Sequence, residues 1–79
     1  MESEMWAYLR QYGHVQSNEM TWVHPSVEYW EVILFDHEKR DNIDSIREHL
    51  SERYPDYQFG KGEAHINNVI YQRIIIVKK

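Results

Sequence analysis

Five histidines in a chain of 79 residues that has no cysteine are the first candidates for chemistry, because imidazole titrates near neutrality and is the commonest nitrogen ligand for metals. His37 is the best placed. It sits in Asp36-His37-Glu38, after an apolar strand-like run and before a helical one, and ligands gather at such strand ends in α/β architectures. With Asp36, Asp41 and Asp44 nearby it could hold a divalent cation through oxygen and nitrogen donors. The catalytic alternative is therefore a small metal-dependent hydrolase using His37 and its neighbouring carboxylates. A polar turn that needs a capping aspartate calls for the same residue types, and no histidine pair has the HxxxH or HExxH spacing of a zinc helix. His49 lies off the apolar stripe of its segment, and His14, His24 and His65 fall in or beside turns, so all four read as surface residues.

Nucleophilic and phosphate-binding signals are absent. Ser17, Thr21, Ser26, Ser45 and Ser51 lack the strained strand-to-helix turn that presents a nucleophile. Gly60-Lys61-Gly62 does not lead into a helix, as a phosphate loop must. Glu28 and Glu31, three apart on one strand, point to opposite faces and cannot act as a dyad. The expectation is no enzyme, no metal and no cofactor.

Two surfaces read better. Tyr57, Phe59, Lys61, Arg73 and Lys78 belong to one C-terminal hairpin, a mixture that could stack bases and neutralise the backbone of a single-stranded nucleic acid. Against it stands the formal charge of −4, from 13 acidic and 9 basic residues, the wrong sign for a general phosphate binder. The second surface is apolar. Three Trp, six Tyr and two Phe are residues that small cores and interface cores both favour. A sheet face left bare by the helices would expose residues drawn from Trp30, Val32, Leu34, Tyr71, Ile75 and Val77, or the alternate set, and a second copy could cover it; the interaction residues expected are Tyr29, Trp30, Glu31, Val32, Leu34 and Tyr71.

The elements follow from spacing. Ile43, Ile46, Leu50 and Tyr54 recur at steps of three and four, giving an amphipathic helix over 41–54, capped by Asp41 and stopped by Pro55. Val27–Asp36 and Val69–Val77 are rich in β-branched and aromatic residues and apolar on both faces, as internal strands are. Tyr57–Ile66, with Gly60, Lys61, Gly62 and Glu63, reads as an edge strand. Asn67-Asn68 suits a tight hairpin, which places Ile66 opposite Val69, Ala64 opposite Tyr71 and Phe59 opposite Ile76. Strand, helix, strand, hairpin and strand then make a split β-α-β unit with Val69–Val77 in the middle, half of a ferredoxin-like arrangement. Residues 3–12 read as a helix closed by Gly13, or alternatively as extended chain from Met5 to Val15; Glu19–Val23 reads as a short strand.

The fold class expected is α+β, a single domain over 1–79 with a three- to four-stranded, mainly antiparallel sheet, one long helix and an N-terminal helix. A chain this short buries only roughly 60 to 65 % of its unfolded surface, which favours a homodimer. Its longest apolar runs, Val32–Phe35 and Ile74–Val77, fall far below the roughly 20 residues of a membrane helix. Its opening Met1-Glu2-Ser3-Glu4 lacks the basic, then apolar, pattern of a secretory signal, so a cytoplasmic protein is expected. Acidic residues crowd the chain before residue 55, and the hairpin is basic. The leading functional expectation is a non-catalytic interaction module, dimeric, of the acidic inhibitor or regulator type that phages and mobile elements encode, acting on a larger protein that handles nucleic acid.

Overall fold

The computed structural model describes residues 1–79. The chain runs α1 (Ser3–Leu9), β1 (His14–Met20), β2 (Val27–Leu34), α2 (His37–Asp41), α3 (Ile43–Arg53), β3 (Tyr57–Ile66) and β4 (Val69–Lys78). The four strands form one sheet in the order β1-β2-β4-β3, with every neighbouring pair antiparallel. β2 and β3 therefore run parallel with β4 between them, the split β-α-β arrangement expected from the apolar character of both faces of β4.

The β3–β4 register follows the hairpin. Ile66 pairs with Val69, Ala64 with Tyr71 and Phe59 with Ile76, and Asn67 and Asn68 take φ of 49° and 65°. These left-handed values close a two-residue turn whose twist matches that of its strands.

Three local expectations are corrected. The helix expected over 41–54 is α3, Ile43–Arg53, and a separate short helix, α2, ends just before it at Asp41. Asp41, the expected cap of the long helix, belongs to α2; Asn42 stands at the N-cap of α3 and makes no side-chain cap bond, while Asp36 caps α2, accepting from the Glu38 amide at 2.8 Å. Asn42 Nδ2 donates to the Glu38 carbonyl at 2.8 Å, a competition with the backbone ladder typical of asparagine. At the N-terminus α1 ends at Leu9 with Arg10 as its C-cap in the right-handed region, and no glycine has positive φ. Gly13 instead serves a close approach, because a Cβ there would lie 2.0 Å from the Ile33 carbonyl oxygen. The strand expected at Glu19–Val23 is His14–Met20, pairing Val15 with Val32 and Met20 with Val27.

One core holds these elements together. Met5 and Leu9 of α1 and Ile43, Ile46 and Leu50 of the α3 stripe pack against Val15, Trp30, Val32, Leu34, Phe59, Ile74 and Ile76 of the sheet. Both helices thus lie on the same face. The molecule measures 36 × 32 × 20 Å, and its thinnest dimension is that of one helix layer on one sheet, about 10 Å each. Asp44 fastens α3 to β3 through Lys61 Nζ at 3.1 Å and through Arg47, which also donates Nε to the Phe59 carbonyl at 3.0 Å. The hydrogen bond and charge of Lys61, and then those of Arg47, hold the Asp44 carboxyl below its ordinary pKa. No helix is long and apolar enough to cross a membrane.

Candidate functional site

The face of the sheet opposite the helices carries no helix, and its composition follows from strand alternation. One row across all four strands is Gln16, Glu31, Ile75 and Gly60; the next is His14, Ile33, Arg73 and Gly62. Tyr29, Val77 and Tyr71 share this face by parity, as do Ala64, Ile66 and Val69 at the hairpin end. Phe35, just beyond β2, packs edge-on to Tyr71 with ring centroids 4.8 Å apart.

At its centre is an ion pair. Glu31, only 3 % exposed, accepts from Arg73 Nη1 and from Gln16 Nε2, so both carboxylate oxygens are engaged. Glycine on β3 makes this geometry fit: the place of a Gly62 Cβ is 3.0 Å from Ile75 Cδ1 and 3.4 Å from Arg73 Nε. Ile75 and Arg73 lean over the bare backbone of β3. Arg73 Nε is buried there without an acceptor. Tyr29 and Ile33 are also buried, while Phe35 and Val69 are about half exposed and Tyr71, Ile75 and Val77 are partly covered.

The interaction residues expected from sequence divide between the two faces. Tyr29, Glu31 and Tyr71 lie on the uncovered one. Trp30, Val32 and Leu34 are buried beneath the helices, so no partner can reach them. The alternation of β2 is legible, but the side that receives the helices depends on how they dock. Gln16, Ile33 and Phe35 complete the face; Ile33 and Phe35 had a signal in that alternation, and Gln16, in a polar edge strand, had none.

Tyr57 and Lys78 are cross-strand partners, but the five basic and aromatic residues of the hairpin do not form one open surface. Phe59 is in the core, Tyr57 packs edge-on to Trp30 at 6.0 Å, and Lys61 is held by Asp44. Arg73 points to the opposite face and is held by Glu31, while Lys78 is exposed at the strand end. Nor does His37 meet the carboxylates: it contacts Arg40, Asp44 is committed to Lys61 and Arg47, and no group of three His, Asp or Glu side chains is close enough to hold a metal.

A second constellation joins the helices. The Tyr8 hydroxyl is 2.6 Å from His49 Nε2. The Tyr8 ring meets those of Tyr12 and Tyr54 edge-on at 6.1 and 6.0 Å. Arg53 lies 4.0 Å from the centroid of Tyr8 and donates Nε to the Tyr54 hydroxyl at 3.1 Å. Burial, and next the neighbouring Tyr8 hydroxyl, push Tyr12 up to about 12. His49 is exposed, as its place off the apolar stripe led one to expect; its link to a residue 41 positions away has no local sequence signal.

Comparison with protein-family models, curated proteins and solved structures finds no match for this chain.

Proposed function

We propose that this chain is a non-catalytic interaction module whose uncovered sheet face pairs with the same face of a second copy. The carrying observation is the placement of α1 and α3 on one side of the sheet, which leaves Phe35, Val69, Tyr71, Ile75 and Val77 on the other without a helix over them. Apolar side chains flanking the paired Glu31 and Arg73, with no helix over them, are surface of the kind that marks interaction sites.

Charge and area both favour a second copy as the occupant. Two chains of −4 each would repel if their acids met, yet the strand positions of this face hold one acid, Glu31, paired with one base, Arg73. The rest of the negative charge lies elsewhere, so the face meets its own copy without like-charge cost and a two-fold contact is self-complementary. Four strands about 4.8 Å apart and a ten-residue strand rising about 3.3 Å per residue give a footprint of about 600 Å² per chain, the lower end of what a stable interface buries per partner. The pairing directs the acidic helices and loops outward, where they suit a larger basic partner, in keeping with an acidic regulator.

Light scattering after size exclusion tests the pairing. The wild type is expected at twice the 9.7 kDa chain mass, and Tyr71→Asp at one chain mass with an unchanged circular dichroism spectrum, since Tyr71 lies outside the core cluster. A wild-type protein that stays at one chain mass at high concentration overturns the proposal.

A further inference from the structure

We propose, on the reading of the uncovered sheet face as a self-pairing surface, that His14 makes this pairing sensitive to pH, the two chains separating as its imidazole is protonated. Gln16 reaches Glu31 on the uncovered side. His14, two residues earlier on β1, shares that side by strand alternation, while Val15 between them lies in the core.

His14 opens the row His14, Ile33, Arg73 and Gly62. One strand out and two residues along from Glu31, it stands about 8 Å from that residue in the plane of the sheet, inside a footprint that takes in all four strands. With no helix on this side, only the strands supply groups to it. β2 contributes Glu31 and Tyr29, β4 contributes Arg73 and Tyr71, and the β3 positions beside them, Gly60 and Gly62, do not titrate. Both Glu31 oxygens are engaged, by Arg73 and by Gln16, and His14 takes part in no ion pair. The other histidines lie elsewhere: His24 in the β1–β2 loop, His37 and His49 on α2 and α3, and His65 on the opposite side of β3 from Ala64 and Ile66.

While His14 is neutral, two faces bring together two Glu31–Arg73 pairs and no net charge. Protonation adds two imidazolium ions, each in a row with a guanidinium, and no carboxylate of the face is free to answer them. Burying an unanswered charge is costly, so the neutral imidazole belongs to the paired state and the cation to the separated chain. Imidazole titrates near neutrality. By linkage the pairing is therefore present above that range and lost as pH falls through it. This sign is opposite to that of the chain as a whole, because protonating the four other histidines cancels the formal charge of −4 and by itself lessens repulsion between copies.

Sedimentation equilibrium at about pH 7.5 and about pH 5.5, at constant ionic strength and with the fold checked by circular dichroism, tests the switch. The wild-type dissociation constant is expected to rise about tenfold or more at the lower pH. His14→Gln, at an exposed position, is expected to lose this rise, and His14→Arg, with its fixed charge, to pair about tenfold more weakly than wild type at the higher pH. His65→Gln is expected to keep the wild-type response. A wild-type dimer whose affinity is unchanged or tighter at the lower pH, or a response that survives in His14→Gln, overturns the switch and leaves the pairing standing. A wild type that is monomeric at the higher pH overturns the pairing itself, and the switch with it.

Discussion

Glu31 is a carboxylate in the middle of a sheet face, and its burial is tolerable because Arg73 and Gln16 engage both of its oxygens. Removing one partner of such a pair leaves a buried charge unanswered and typically costs about 3 to 5 kcal/mol, whereas replacing both by apolar residues is often neutral or stabilising. Arg73 keeps about a quarter of its side chain in solvent, so the lower end applies. Arg73→Met is expected to destabilise the chain by about 3 kcal/mol in urea unfolding, and Glu31→Leu combined with Arg73→Met to recover most of that loss. A neutral Arg73→Met, or a double variant no better than the single, would show that the pair has no such role. Neither residue advertises this in sequence. Glu31 reads as an ordinary polar interruption of an apolar strand, and Arg73 lies 42 positions away; only the β2–β4 pairing that sets Ile33 beside Arg73 and Glu31 beside Ile75 brings them together.

At the scale of elements, α1 and α3 are short and share their load with the sheet. α1 contributes two buried residues, Met5 and Leu9, and the turn after it holds Tyr12 near Tyr8 and Arg53. Burial raises the Tyr12 pKa from 10.0 to about 12. Between those values the folded chain keeps a proton that the unfolded chain has lost, so stability falls as pH rises through this window and is unaffected by Tyr12 below pH 10. Tyr12→Phe removes that dependence. Urea unfolding across the window should show a shallower loss in the variant than in the wild type, and the wild-type minus variant tyrosinate absorbance should have its midpoint near 12. Parallel losses would mean that Tyr12 ionises alike in both states.

For the whole molecule the governing quantity is one core of 12 buried residues beneath a single sheet, with the second sheet face uncovered. A small domain has little margin, and association of folded chains stabilises them by mass action. The thermal midpoint of the wild type is therefore expected to rise with protein concentration, and that of Tyr71→Asp to be lower and independent of it. A concentration-independent wild-type midpoint would mean that folding and association are not coupled.

Sequence alone determined those elements whose signals are local: the apolar two-faced strands, read at Val27–Asp36 and Val69–Val77 and formed at Val27–Leu34 and Val69–Lys78, the Asn67-Asn68 turn with its register, the stripe of Ile43, Ile46 and Leu50, and through them the order that puts β4 inside the sheet. Alternation, helical spacing and left-handed turn residues act over a few positions, so they can be read without the fold. The tertiary structure alone decided that β1 begins at His14, since a polar edge strand such as His14–Met20 is fixed by its partner and not by its own pattern. It also decided that α1 joins α3 on one face, burying Trp30, Val32 and Leu34 while leaving Tyr29, Glu31 and Tyr71 on the other. Strand alternation sorts residues into two sets with certainty but is symmetric between them. That symmetry is broken only by long-range packing, which places Met5 and Leu9 against Val15 and the rest of the core, and that choice has no representation in any short stretch of chain.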